Sequence, residues 1–131
     1  MLPFPVELKT GLPLAEQILF HVKKAIVSGL LKPGDKFPSI RQLSQELRIN
    51  PNTAHKVIAA LVDEGVLLTT PAVGSVVAMR TLGDKKDRAA LLGSDLEQLV
   101  VEAKKLGLAL EDVQSGLAAH WNRLSPIHER H

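Results

Sequence analysis

Five polar side chains, Asn50, Asn52, Thr53, His55 and Lys56, fall within seven consecutive residues, at a spacing that places them on the opening turns of a helix. Their chemistry is recognition by hydrogen bonding rather than bond breaking. An asparagine amide gives and takes a hydrogen bond at once and so matches the edge of adenine. Threonine can hydrogen-bond or lay its methyl against thymine, and lysine can reach guanine or a phosphate. Each residue also has a plainer use. Asn50 before Pro51 is a preferred N-cap followed by Pro at the first helical position, and His55 suits a DNA contact and a neutral surface equally.

Other chemistries find no support. The chain has no Cys, so it offers no disulfide framework and no thiolate nucleophile or metal ligand. It also has no Gly-rich phosphate loop, no H-E-x-x-H and no suggestive Ser/His/Asp arrangement, and an enzyme is not expected. His120, His128, Glu129 and His131 gather toward the C-terminus. They read as a polar tail or, alternatively, as a metal-responsive site, and no metal or cofactor is expected.

The elements that would position the polar cluster follow from periodicity and end signals. Leu14, Ile18, Val22 and Ile26 recur every four residues, which predicts an amphipathic helix with Pro13 in its first turn and Gly29 after its end. Lys32-Pro33-Gly34-Asp35 reads as a turn. Ser39-Ile40-Arg41-Gln42 has the form of a capping box and opens a second helix that stops near Arg48. A third begins at Asn50, carries Ala54, Val57, Ile58, Leu61 and Val62 on one face, and ends at Gly65. Residues 66–70 and 75–78 then predict a β-hairpin with a four-residue tip, Pro71-Ala72-Val73-Gly74.

Outside this block the signals are simpler. Residues 4–8 alternate apolar and polar, as a short edge strand or an extended arm would. Polar residues 81–87 read as a linker. Leu92, Leu96, Leu99, Ala103 and Leu106 step by 4, 3, 4 and 3, a heptad seam closed by Gly107. Leu110, Val113, Leu117, Trp121 and Leu124 line a last helix that Pro126 terminates. The fold class expected is mainly α with a small β-hairpin: a winged helix-turn-helix over residues 1–80, then a short two-helix appendage over 81–131.

In a helix-turn-helix the later helix lies in the major groove with its N-terminal residues on the base edges. The candidate DNA contacts are therefore Asn50, Asn52, Thr53, His55 and Lys56, with Arg41 early in the preceding helix. Charge distribution agrees. The net charge is only +2, yet residues 21–60 hold seven basic against two acidic side chains, while residues 81–131 hold seven against eight. No apolar run is long enough for a membrane span, and Pro3, Pro5 and Glu7 do not suit a signal peptide, so a cytoplasmic location is expected.

The stretches Pro13-Leu14-Ala15-Glu16-Gln17-Ile18, Ser28-Gly29-Leu30-Leu31-Lys32-Pro33-Gly34-Asp35-Lys36-Phe37-Pro38-Ser39-Ile40-Arg41-Gln42-Leu43, Asn50-Pro51-Asn52-Thr53-Ala54 and Asp63-Glu64-Gly65-Val66-Leu67 closely resemble the GntR family of bacterial regulators. The resemblance covers residues 4–78. It implies a winged-helix N-terminal domain with Arg41, Asn52, Thr53 and the wing Gly74 near DNA, and a two-fold dimer on an imperfect palindrome; Ser39, two residues before Arg41, joins the candidate DNA contacts. The short C-terminal part is similar to the YtrA branch, whose helical appendage dimerises and whose members often repress transporter operons. Leu92, Leu96, Leu99, Ala103, Leu106, Leu117 and Trp121 are the candidate dimer residues. The partners implied are operator DNA and a second copy of the chain, with room for a small-molecule effector of unknown identity and no membrane.

The chain departs from the family at the wing, where Thr70 to Gly74 offer no charge, at Pro51, where other branches place Arg, and at Ala109, where a helix cap is expected. The uncharged wing leaves a second reading, a winged helix that contacts another protein; the basic 21–60 stretch opposes it.

Overall fold

The computed structural model describes residues 2–79 and 85–125. The chain divides into two compact units; among the described residues one holds three helices and a β-hairpin, and the other holds helical segments without a strand.

In the first unit α1 (Leu14–Val27), α2 (Ile40–Leu47) and α3 (Pro51–Asp63) precede β1 (Leu67–Thr70) and β2 (Gly74–Val77). The apolar stripes expected from spacing are the ones that meet. Ile18 and Val22 of α1, Leu43 of α2, and Ala54, Val57 and Leu61 of α3 are fully buried together with Leu67 of β1. Burying each larger aliphatic side chain favours folding by about 1.5–3 kcal/mol. Pro13 is the N-cap of α1 rather than a first-turn residue, because helical backbone begins only at Leu14.

The N-terminal segment forms no strand and is an anchored arm. Phe4 is buried and stacks on Phe37, ring centroids 5.7 Å apart. Farther along, Gln17 of α1 takes the place of a neighbouring strand. Its Oε1 accepts the Lys9 N–H at 2.7 Å, while its Nε2 donates to the Lys9 and Leu12 carbonyls at 3.0 and 3.1 Å.

The hairpin pairs Leu67 with Val77 and Thr70 with Gly74, so only residues 71–73 lie between the strands and the expected four-residue tip is one residue too long. Gly74 belongs to β2 at φ 89°, a left-handed conformation that glycine adopts without a Cβ penalty. The Thr70 hydroxyl donates to the Gly74 carbonyl at 3.0 Å and closes the turn.

The segment read as a turn before α2 does more than turn. Gly34 N–H donates to the Val77 carbonyl and Val77 N–H to the Asp35 carbonyl, both at 2.8 Å, and Phe37 N–H donates to the Ser75 carbonyl at 2.9 Å. Lys36 and Val76 thus form an antiparallel bridge beside β2.

In the second unit α4 (Lys85–Ala90) runs through a π-turn (Leu91–Asp95) into α5 (Leu96–Lys105), and α6 (Leu110–Leu124) follows. Residues 85–87, expected in a linker, are therefore helical, and residues 81–84 lie outside the described ones. The π-turn interrupts the expected seam. Its wider hydrogen bonding means that Leu92 to Leu96 is not an α-helical step, and the regular 3.6-residue phase runs only from Leu96. At the start of α6 the missing cap is supplied from inside the helix, where the Asp112 carboxylate accepts the Ala109 N–H at 2.9 Å. Ala103 is buried, whereas Leu92, Leu106, Leu117 and Trp121 are more than half exposed.

Candidate nucleic-acid interface

Two helix starts build the surface. Ser39 caps α2, its hydroxyl oxygen accepting the Gln42 N–H at 3.1 Å, and places Arg41 exposed in the first turn. Among the described residues no reciprocal bond from the Gln42 side chain to Ser39 forms, so half of the expected capping box is present. Helix α2 then ends in one residue: Arg48 takes the left-handed conformation at φ 55°, and its N–H and that of Ile49 both reach the Ser44 carbonyl. This tight reversal lets α3 start at Pro51.

The opening of α3 follows the Asn-Pro signal. Asn50 is extended and its Oδ1 accepts the Asn52 N–H at 2.8 Å, while Pro51 occupies a position where no amide proton is needed. Helical phase sorts the rest. Ala54, Val57 and Leu61 turn inward and are fully buried, while Asn52, His55 and Lys56 are exposed and Thr53 is half-buried. Farther along the outer side the exposed residues are the apolar Ala59 and Val62 and, at the last position, the acidic Asp63. Polar reading capacity is therefore concentrated in the first two turns.

The electrostatics favour an anion at this end. Neither α2 nor α3 has an acidic residue in its first turn, so the positive end of each helix dipole faces outward without a compensating carboxylate. Part of the basic stretch is engaged elsewhere: Lys23 Nζ meets Glu64 Oε1 at 2.8 Å and links α1 to the end of α3. Among the described residues Lys36, Arg41, Arg48 and Lys56 form no ion pair.

Of the residues singled out from sequence, Ser39, Arg41, Asn50, Asn52, Thr53, His55 and Lys56 lie on the two helix starts joined by the Arg48 turn, and Gly74 lies on the hairpin. The candidate dimer residues all belong to the helical unit. Of the C-terminal histidine group only His120 is described; its Nδ1 is 2.7 Å from an Arg123 guanidinium nitrogen, and His128, Glu129 and His131 fall outside the described residues. Among the described residues no three His, Asp or Glu side chains are grouped to hold a metal, and no helix is long and apolar enough to cross a membrane. The sequence reading missed Lys36 as part of the wing sheet, since a cross-strand partner forty residues away leaves no local pattern.

Comparison with known proteins places this geometry. Residues 14–77 match the bacterial regulatory proteins of the gntR family. The HTH-type transcriptional repressor YtrA of Bacillus subtilis is 33% identical over 109 residues, spanning 81% of this chain and 82% of that protein. A solved structure described as a transcriptional antiterminator from Listeria monocytogenes superposes with a TM-score of 0.82 at 28% identity, over 92% of this chain and 91% of that one. The DNA-binding domain of AraR, solved in complex with operator ORX1, superposes with a TM-score of 0.51 at 26% identity, over 57% of this chain and 96% of that one.

Proposed function

The chain belongs to the gntR family of bacterial regulatory proteins and is a DNA-binding transcription regulator, and from that premise we propose that it represses transcription by occupying a palindromic operator as a homodimer. Helix α3 enters the major groove, whose width of about 12 Å accepts one helix. Asn52 and Thr53 meet base edges, Lys56 reaches guanine or a phosphate, His55 flanks them, and Ser39 and Arg41 hold the backbone from the start of α2. Asn50 acts at the groove chiefly by setting the first turn, and Gly74 shapes the wing.

The observation that carries this reading is the split of α3 into a fully buried inner face and an exposed polar opening. The second copy is held by the helical unit. Leu96, Leu99 and Leu106 supply one apolar line, with Ala103 buried beneath it and Leu92 beyond the π-turn, and Leu117 and Trp121 supply the other. Leu99, Leu117 and Trp121 are exposed at 48%, 55% and 73%, and among the described residues of this unit Ala103 alone is buried, which leaves apolar side chains for an association surface. Repression accords with the likeness to the YtrA repressor; control of a transporter operon and a cytosolic setting are what the resemblance to the YtrA branch implies.

The test is a footprint of the purified protein on the DNA upstream of its own gene. Two protected half-sites about one helical turn apart are expected, with affinity falling steeply as salt rises. Absence of protection, or binding indifferent to salt, would refute the proposal.

A further inference from the structure

Residues 66–78, the whole hairpin and its flanks, contain no charged side chain. A wing without charge can offer a phosphate only neutral donors, hydroxyls and backbone N–H groups, and no cation. Yet the wing sheet is not confined to those residues, because Lys36 bridges Val76 on the open side of β2. The register decides where its side chain goes. Val76 is paired with Leu68 on its other side, so Lys36, Val76 and Leu68 form one row across the three segments. Directly opposed residues share a face of the sheet. The neighbouring row, Leu67 and Val77, is buried, as is Phe37 next to Lys36. The Lys36 row therefore occupies the outer face, where Lys36 is exposed and Leu68 is 52% exposed.

The ammonium group is also left available. The nearest carboxylate in sequence, Asp35, is turned back to accept the Lys32 N–H at 2.8 Å. Among the described residues no acidic group pairs with Lys36. Ser39, the N-cap of α2, lies three positions beyond Lys36, a backbone reach of at most about 10 Å. Phosphates follow one another every 3.4 Å of axis along a strand. A cation at Lys36 thus addresses phosphates within a few nucleotides of those facing Ser39 and Arg41.

We propose that Lys36 is the phosphate-binding cation of the wing, contributed by the segment before α2 because the hairpin itself has none. This assignment rests on the operator-binding reading above. It gives the sheet a place in DNA binding that its own strands do not encode, and extends the backbone contacts from the helix starts to the wing.

The test compares Lys36→Met and Lys36→Arg with the unaltered protein on its own upstream DNA and on an unrelated duplex, over a range of salt. Methionine keeps an apolar stem over Val76 and Leu68 but removes the charge. Each phosphate contact contributes about 0.9 to the slope of log affinity against log salt. Lys36→Met is expected to flatten that slope by about 0.9 on both duplexes, so that its deficit shrinks about 3.5-fold for each fourfold rise in salt. Lys36→Arg is expected to restore the slope, and denaturant midpoints should not separate the three proteins. An unchanged slope in Lys36→Met, with the unaltered protein still binding steeply, overturns the assignment of Lys36 alone. If the unaltered protein shows no salt-dependent binding, the operator reading fails and the assignment falls with it.

Discussion

The side-chain oxygen of Asn50 accepts the backbone N–H of Asn52 at 2.8 Å, so the residue that opens α3 is bound to the helix it starts. That bond separates two neighbours that look alike in the sequence. Asn50 organises the first turn, and Asn52 keeps its amide for a partner.

Replacing Asn50 by Ala removes the acceptor from one of the otherwise unpaired amides at the helix start, and is expected to lower stability by about 1 kcal/mol. Asn50→Asp or Asn50→Ser should retain most of it. Urea denaturation checks this: the midpoint should drop for Ala with little change in slope.

Asn52→Ala and Lys56→Ala alter exposed side chains, so folding stability should stay within about 0.5 kcal/mol of the parent. DNA binding should separate them. Asn52→Ala is expected to cost about 1–3 kcal/mol and to relax preference at one operator position, whereas Lys56→Ala, if it touches phosphate, weakens all duplexes alike and lowers the salt slope by about 0.9. Titrations against single-base operator variants at two salt concentrations distinguish these outcomes.

In the helical unit Trp121 is 73% exposed. Trp121→Ala should leave helix content unchanged and weaken self-association by at least about 2 kcal/mol, roughly thirtyfold, if the ring anchors the dimer. Sedimentation equilibrium reads the shift directly. A dimer of unchanged affinity would move the interface away from this helix.

Gly74 lies at φ 89° with no atom within 4 Å of where a Cβ would stand, so the site has room but an unfavourable backbone for any other residue. Gly74→Ala is expected to cost about 1–2 kcal/mol through conformation rather than collision. Thermal unfolding would register it, and Gly74→Asn should cost less, since asparagine tolerates the left-handed region better.

Much of this was readable from the chain because the signals are local. Asn50-Pro51 marks the start of α3, Ser39 the start of α2, and apolar residues three and four apart give the inward faces of both. What escaped depends on distant partners or on exposed polar sequence. The hairpin was placed correctly but its tip was one residue too long, since Thr70 pairs with Gly74 through a turn whose length the strand residues do not dictate. Lys85 to Asp87 read as linker because they carry no apolar stripe; they nonetheless open α4, which continues through the π-turn into α5. The N-terminal arm alternated like a strand, but it is satisfied by the Gln17 side chain instead of a neighbouring backbone.

The clasp at Gln17 also matters for anyone handling the protein. With Phe4 lodged in the interior and both backbone groups of Lys9 held to α1, the leading residues are an integral strut rather than a loose lead-in. An affinity tag fused there starts within a few residues of a seated aromatic ring, and trimming the chain back past Leu8 would unseat that ring and expose the interior beneath it.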